Sequence, residues 1–130
     1  MKKLFFLAVF FIFLAGCVQQ TPQQAQPGEI ALNVSIDYAG LQPNYFAQTT
    51  VADGSTALEA FSKVANLSTK TFSFGLYVNG VNAVMEDNEK HLYWQYYVDG
   101  ELAPVGVDAF KIDKPVSLEF RLETPPEDWS

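Results

Sequence analysis

Cys17, the only cysteine among 130 residues, closes the tetrapeptide Leu14-Ala15-Gly16-Cys17. A thiol placed there, behind the basic start Met1-Lys2-Lys3 and the apolar run Leu4 to Leu14, is the pattern of a lipobox. At such a site diacylglycerol is joined to the cysteine and the peptide before it is removed. An ordinary signal peptide with a stray cysteine, or an uncleaved anchor, are the alternatives. His91, the one histidine, has no second His or Cys with which to share a metal. Beside it, Glu86-Asp87-Asn88-Glu89-Lys90 offers carboxylates without the fixed spacing and glycine of a calcium loop, and reads as a solvated loop. There is no Gly-x-Ser-x-Gly elbow, no Gly-rich phosphate loop, and no serine in local reach of His91. Carboxylate pairs occur anywhere in so acidic a chain and discriminate nothing. The reading is therefore not an enzyme. The chemistry that remains is recognition through flat apolar side chains, concentrated in Tyr93-Trp94-Gln95-Tyr96-Tyr97-Val98.

Composition bounds what must position those residues. Hydrophobic residues make up 48% and aromatics 15%, which excludes a disordered acidic tail. A formal charge of −7 argues against a nucleic-acid partner, because a phosphate backbone needs a basic face. The run Leu4 to Leu14, about eleven residues, is short of the about 20 that span a bilayer. Loss of residues 1–16 would take Lys2 and Lys3 with it, leaving six basic residues against 15 acidic ones, a formal −9. Such a body stands off from an anionic membrane. Four segments follow: a lipoprotein signal peptide (1–16), the lipidated Cys17 with a Gln/Pro tether (17–28), a folded domain (29–123) and a flexible tail (124–130). The expected location is the cell envelope, outside the cytoplasm, with the membrane as a partner through lipid on Cys17.

Within the domain, apolar residues alternate from Ile30 to Tyr38, which predicts a strand. Gly40 and Pro43 break it. Ala57, Ala60, Phe61, Val64 and Ala65 recur at spacings of three and four, predicting one helix behind a capping box of Thr56 and Glu59. Phe72 to Val78 and Leu92 to Val98 read as strands, each leading into a hairpin turn, Asn79-Gly80 and Asp99-Gly100. Val116 to Leu122 alternates as the last strand. The predicted class is α+β, one main helix on a mixed sheet. Period two separates Trp94, Tyr96 and Val98 from Tyr93, Gln95 and Tyr97. One set must pack under the helix. The other is either covered as well or an exposed stacking platform.

In order, the chain carries Thr56-x-Leu58-x-Ala60-Phe61, Val78-Asn79-Gly80-Val81, Tyr93 to Gly100, Gly106-Val107-Asp108-Ala109-Phe110 and Leu118 to Leu122. This succession resembles the DUF4430 family, which is similar to the C-terminal β-domain of transcobalamin and intrinsic factor. One departure is Asp113-Lys114-Pro115, where the family usually has a Gly-Asp turn. The resemblance implies a β-grasp-like fold and, in the vertebrate relatives, half of a cobalamin site completed by a helical domain. No helical partner domain is present in this sequence. The expectation is a surface binding module for a small flat ligand, a cobalamin or other corrinoid, with a partner protein completing the site. Its ligand residues are expected at Tyr93, Tyr97, Gly106, Val107, Phe110 and Trp129. The competing expectation is a surface interaction or structural module that binds proteins and no small molecule.

Overall fold

A computed structural model describes residues 26–127. Cys17, Trp129 and the signal segment lie outside the described residues. The elements are β1 (Glu29–Asp37), β2 (Tyr45–Ala52), α1 (Ala57–Val64), β3 (Leu67–Phe72), β4 (Gly75–Val81), β5 (Val84–Met85), β6 (Tyr93–Val98), β7 (Glu101–Leu102) and β8 (Ser117–Glu123). A five-stranded mixed sheet has the order β2-β1-β8-β6-β7, and β3-β4-β5 form a small second sheet. The first and last strands, β1 and β8, lie parallel at its centre, while β2 and β6 flank them antiparallel. This is the α+β arrangement of one helix on a mixed sheet that the pattern predicts, in keeping with the β-grasp-like fold that the resemblance implies.

Alternation decides which face is buried. Ile30, Leu32, Val34 and Ile36 of β1 turn to the same side as Leu118, Phe120 and Leu122 of β8, and all are buried. Trp94 and Tyr96 of β6 join them, since Tyr96 pairs with Phe120 and Trp94 with Leu122. Helix α1 crosses this side and buries Ala57, Ala60 and Phe61. The Phe61 and Phe120 rings meet at 3.9 Å between centroids, and Tyr96 presents its edge to Phe61 at 6.2 Å. The opposite side of the sheet carries Asn33, Phe46, Gln48 and Ser117, all exposed.

Local signals account for the helix ends. The Thr56 backbone is extended, and its hydroxyl oxygen accepts from the Glu59 N–H at 3.2 Å, the N-cap half of the expected box. Glu59 in the first turn and Lys63 in the last match the helix dipole. Asp99 and Gly100, at φ +49° and +80°, make the tight β6–β7 turn as predicted.

Two expectations need correction. Asn79-Gly80 is not a turn: β4 runs through both residues, and each is buried. The turn is Asn82-Ala83, at φ +49° and +66°. Gly80 serves close approach instead, because a Cβ there would stand 2.5 Å from Met85 Sδ. The Phe72 to Val78 run is likewise not one strand. It folds over at Ser73-Phe74, and Gly75 at φ +129° opens β4. β2 has no counterpart in the sequence reading.

Candidate ligand-binding site

The loop Gly106 to Phe110 is tied to the start of α1. The Val107 carbonyl accepts from the Leu58 N–H at 2.9 Å, and the Phe110 carbonyl from the Ala57 N–H at 3.0 Å. With Thr56 serving Glu59, the helix start has its donors satisfied by protein groups and none left for an anion. Val107 is buried in the core and Phe110 is half-buried against it. Gly106 alone of the three faces outward.

Tyr93 and Tyr97 lie on the other side of the sheet, because alternation along β6 sends Trp94 and Tyr96 to the helix. The described residues expected to bind together are thus divided by the sheet itself. Tyr97 has its ring face occupied: the Arg121 guanidinium carbon sits 3.8 Å from the centroid. Its hydroxyl donates to Glu123, and Arg121 also pairs with Glu119. Burial and the Glu123 bond raise the Tyr97 pKa, with Arg121 opposing. This network occupies one face of the Tyr97 ring and its hydroxyl.

On the helix side a cleft of about 190 Å³ opens between β4 and the β6–β7 edge, lined among others by Leu76, Val78, Trp94, Tyr96, Leu102 and Gly106. The Tyr96 hydroxyl donates to the Val105 carbonyl and so holds the loop against the cleft. Burial, with the nearby Asp108 charge, pushes the Tyr96 pKa up to about 12. Tyr77, also lining the cleft, donates to Glu86 Oε2 at 2.9 Å. Burial first and that carboxylate second raise its pKa. Both hydroxyls remain neutral hydrogen-bond donors at ordinary pH.

The β3–β4 hairpin tip adjoins the cleft through Tyr77. Phe72 and Phe74 are 45% and 80% exposed and stack on each other, while Phe72 meets the Tyr77 ring edge-on at 6.1 Å. A Cβ on Gly75 would come within 3.8 Å of Asp108 Oδ1, so the tip and the Gly106–Phe110 loop adjoin. Phe72, Phe74, Leu76 and Tyr77 are the site residues that sequence reasoning missed. Gly75 was the only local signal that the aromatic run folds back on itself.

A larger depression of about 430 Å³ lies on the uncovered face, lined by Asn33, Ser35, Phe46, Gln48 and Ser117 among others. Its lining is mixed, with Val34, Ala47 and Leu118 beside amide and hydroxyl side chains, and Phe46 is its one aromatic ring. The cleft and the hairpin tip beside it instead gather several rings, Tyr77, Trp94 and Tyr96 with Phe72 and Phe74, the contact area a flat ligand needs. At about 190 Å³ the cleft is below the roughly 300 Å³ of a self-sufficient small-molecule pocket, so it takes one face or edge of a ligand. Among the described residues no group of His, Cys, Asp and Glu side chains could hold a metal ion.

Residues 54–124 match the profile of the DUF4430 domain of unknown function, more than half of the chain, and the chain belongs to that family. No curated protein matches the sequence. Among solved structures, haptocorrin in complex with Cbi superposes with a TM-score of 0.68 at 21% identity over 85% of this chain. The chain spans 29% of the haptocorrin chain's length. A candidate metal-binding protein from Ruminococcus gnavus ATCC 29149 superposes with a TM-score of 0.58 at 17% identity, over 75% of this chain and 98% of its own. At these identities the likeness is one of fold.

Proposed function

We propose that the chain is a lipid-anchored cell-surface binding module, non-catalytic, that presents its aromatic hairpin tip and the adjoining cleft to a small flat ligand of the corrinoid class, with a partner protein completing the site. The observation that carries this reading is the stacked, exposed pair Phe72 and Phe74, joined through Tyr77 to an apolar cleft. Exposed aromatic pairs are costly in water and serve as rigid contact area for a ligand. The haptocorrin fold, solved with Cbi, supports the ligand class. The shallow cleft supports a two-part site, because affinity follows the ligand surface that is buried. Lys2, Lys3, the apolar run and Cys17 support the anchor.

The test is a titration of the full chain in non-ionic detergent with cobalamin and cobinamide, read by calorimetry and tryptophan quenching. Trp94 lines the cleft and reports directly. Saturable binding that weakens in Phe74→Ala is expected. No saturable heat or quenching at millimolar ligand, with or without an extract of the host envelope, would overturn the reading.

A further inference from the structure

β2 is an outer strand of the large sheet, paired on one side to β1. The direction of its backbone groups follows from two bonds. The Asp53 N–H donates to the Gly28 carbonyl at 3.0 Å, on the β1 side and in the β1–β2 register. In an antiparallel ladder the N–H and C=O of one residue point the same way, and the direction alternates along the strand. Odd-numbered residues of β2 therefore bond to β1, and Phe46, Gln48 and Thr50 direct theirs outward. Lys63 Nζ donates to the Thr50 carbonyl at 2.6 Å, from outside the ladder, in agreement. That lysine covers one end of the free edge and leaves the groups of Phe46 and Gln48 open.

Exposed edges normally carry a charge, a proline, a bulge or too few residues to template another strand. β3, at the edge of the small sheet, has Lys70 and a bulge at Ser68/Thr69. β5 and β7 have two residues each. β2 has eight, Tyr45-Phe46-Ala47-Gln48-Thr49-Thr50-Val51-Ala52, with neither charge nor proline, and its Phe46 is 75% exposed. In a chain of formal charge −7, an uncharged strand is where a second copy approaches without repulsion. The strand is at once the open edge and the uncharged extended segment that such an edge accepts.

We propose that β2 pairs antiparallel with β2 of a second copy, about a two-fold axis at Ala47, joining the two large sheets edge to edge. In that register Phe46 and Gln48 exchange backbone hydrogen bonds with Gln48 and Phe46 of the second copy. The Lys63 bond to Thr50 is left in place. The contact is isologous and closes at two copies. It lies apart from the cleft and hairpin tip, so its fate is independent of the ligand.

The experiment measures the mass of the full chain in density-matched non-ionic detergent by sedimentation equilibrium over a wide concentration range. A monomer–dimer equilibrium is expected, weak because strand pairing alone makes a small interface. Gln48→Pro removes an outward N–H without touching the β1 ladder, and should abolish the dimer at unchanged circular dichroism. In a Cys17→Ser background, Ala47→Cys should give an oxidised, disulfide-linked dimer, since residues at the axis face each other at about 4.5 Å between Cα atoms. A chain that stays monomeric throughout and does not cross-link would overturn the proposal. So would a dimer that Gln48→Pro leaves intact.

Discussion

Phe72 and Phe74 stack across the turn that ends β3, with ring centroids 5.1 Å apart and planes 7° from parallel. Neither ring packs into the core, and Phe74 is 80% exposed. Phe74→Ala is expected to leave stability within about 0.5 kcal/mol, as for surface changes in general. The same change should weaken corrinoid binding about tenfold, roughly 1.4 kcal/mol. Thermal unfolding and the ligand titration, run on one preparation, separate the two effects.

Gly80 owes its place to Met85 and Ser68. Its missing Cβ would stand 2.5 Å from Met85 Sδ and 3.1 Å from the Ser68 Cβ. The methionine is half in solvent and can swing away, so Gly80→Ala should cost about 1 kcal/mol, at the low end for overpacking. Combining it with Met85→Ala should recover much of that loss in chemical denaturation.

The Tyr96 hydroxyl, bonded to the Val105 carbonyl, titrates near pH 12 in the folded chain against about 10 when unfolded. Between those values the folded state holds a proton that the unfolded state has released. Its stabilising contribution is therefore complete below about pH 10 and is lost as pH rises through about 12. Tyr77, shifted in the same direction, adds to the loss. Tyr96→Phe should cost about 1 kcal/mol at neutral pH by removing the donor, and should flatten the alkaline fall. Unfolding followed at several alkaline pH values, with tyrosinate absorbance as the probe, checks both.

Thr56 and Phe61 test the helix from its two sides. Thr56→Ala removes the side-chain acceptor of the Glu59 N–H and should cost about 1 kcal/mol. Phe61→Ala vacates a fully buried position against Phe120 and should cost about 3–5 kcal/mol. Denaturant midpoints with unchanged slopes would verify that each effect is on stability alone.

The elements legible from the amino-acid sequence are those that bury one face against the core. β1, α1, β6 and β8 each carry their burial in their periodicity, and Thr56 marks the helix start. β2 was illegible because, as an outer strand with one bare face, it buries only Val51 and shows no apolar alternation. Asn79-Gly80 misled because glycine serves two needs, positive φ in turns and close approach in strands, and here the second applies. The candidate site was half legible. The loop Gly106 to Phe110 does border the cleft, yet period two places Tyr93 and Tyr97 behind the sheet from it. Phe72 and Phe74 read only as part of a strand, because nothing in a short aromatic run states which rings remain in solvent.

The parallel pairing of β1 with β8 has a consequence for how the molecule is made. Asn33 of the first strand lies beside Ser117 of the last, a partner synthesised 84 positions later. The sheet's centre therefore cannot close until the residues of β8 have been made. Contacts so remote in sequence are the slow ones to form. The domain stays pliable through most of its synthesis and sets only when β8 arrives.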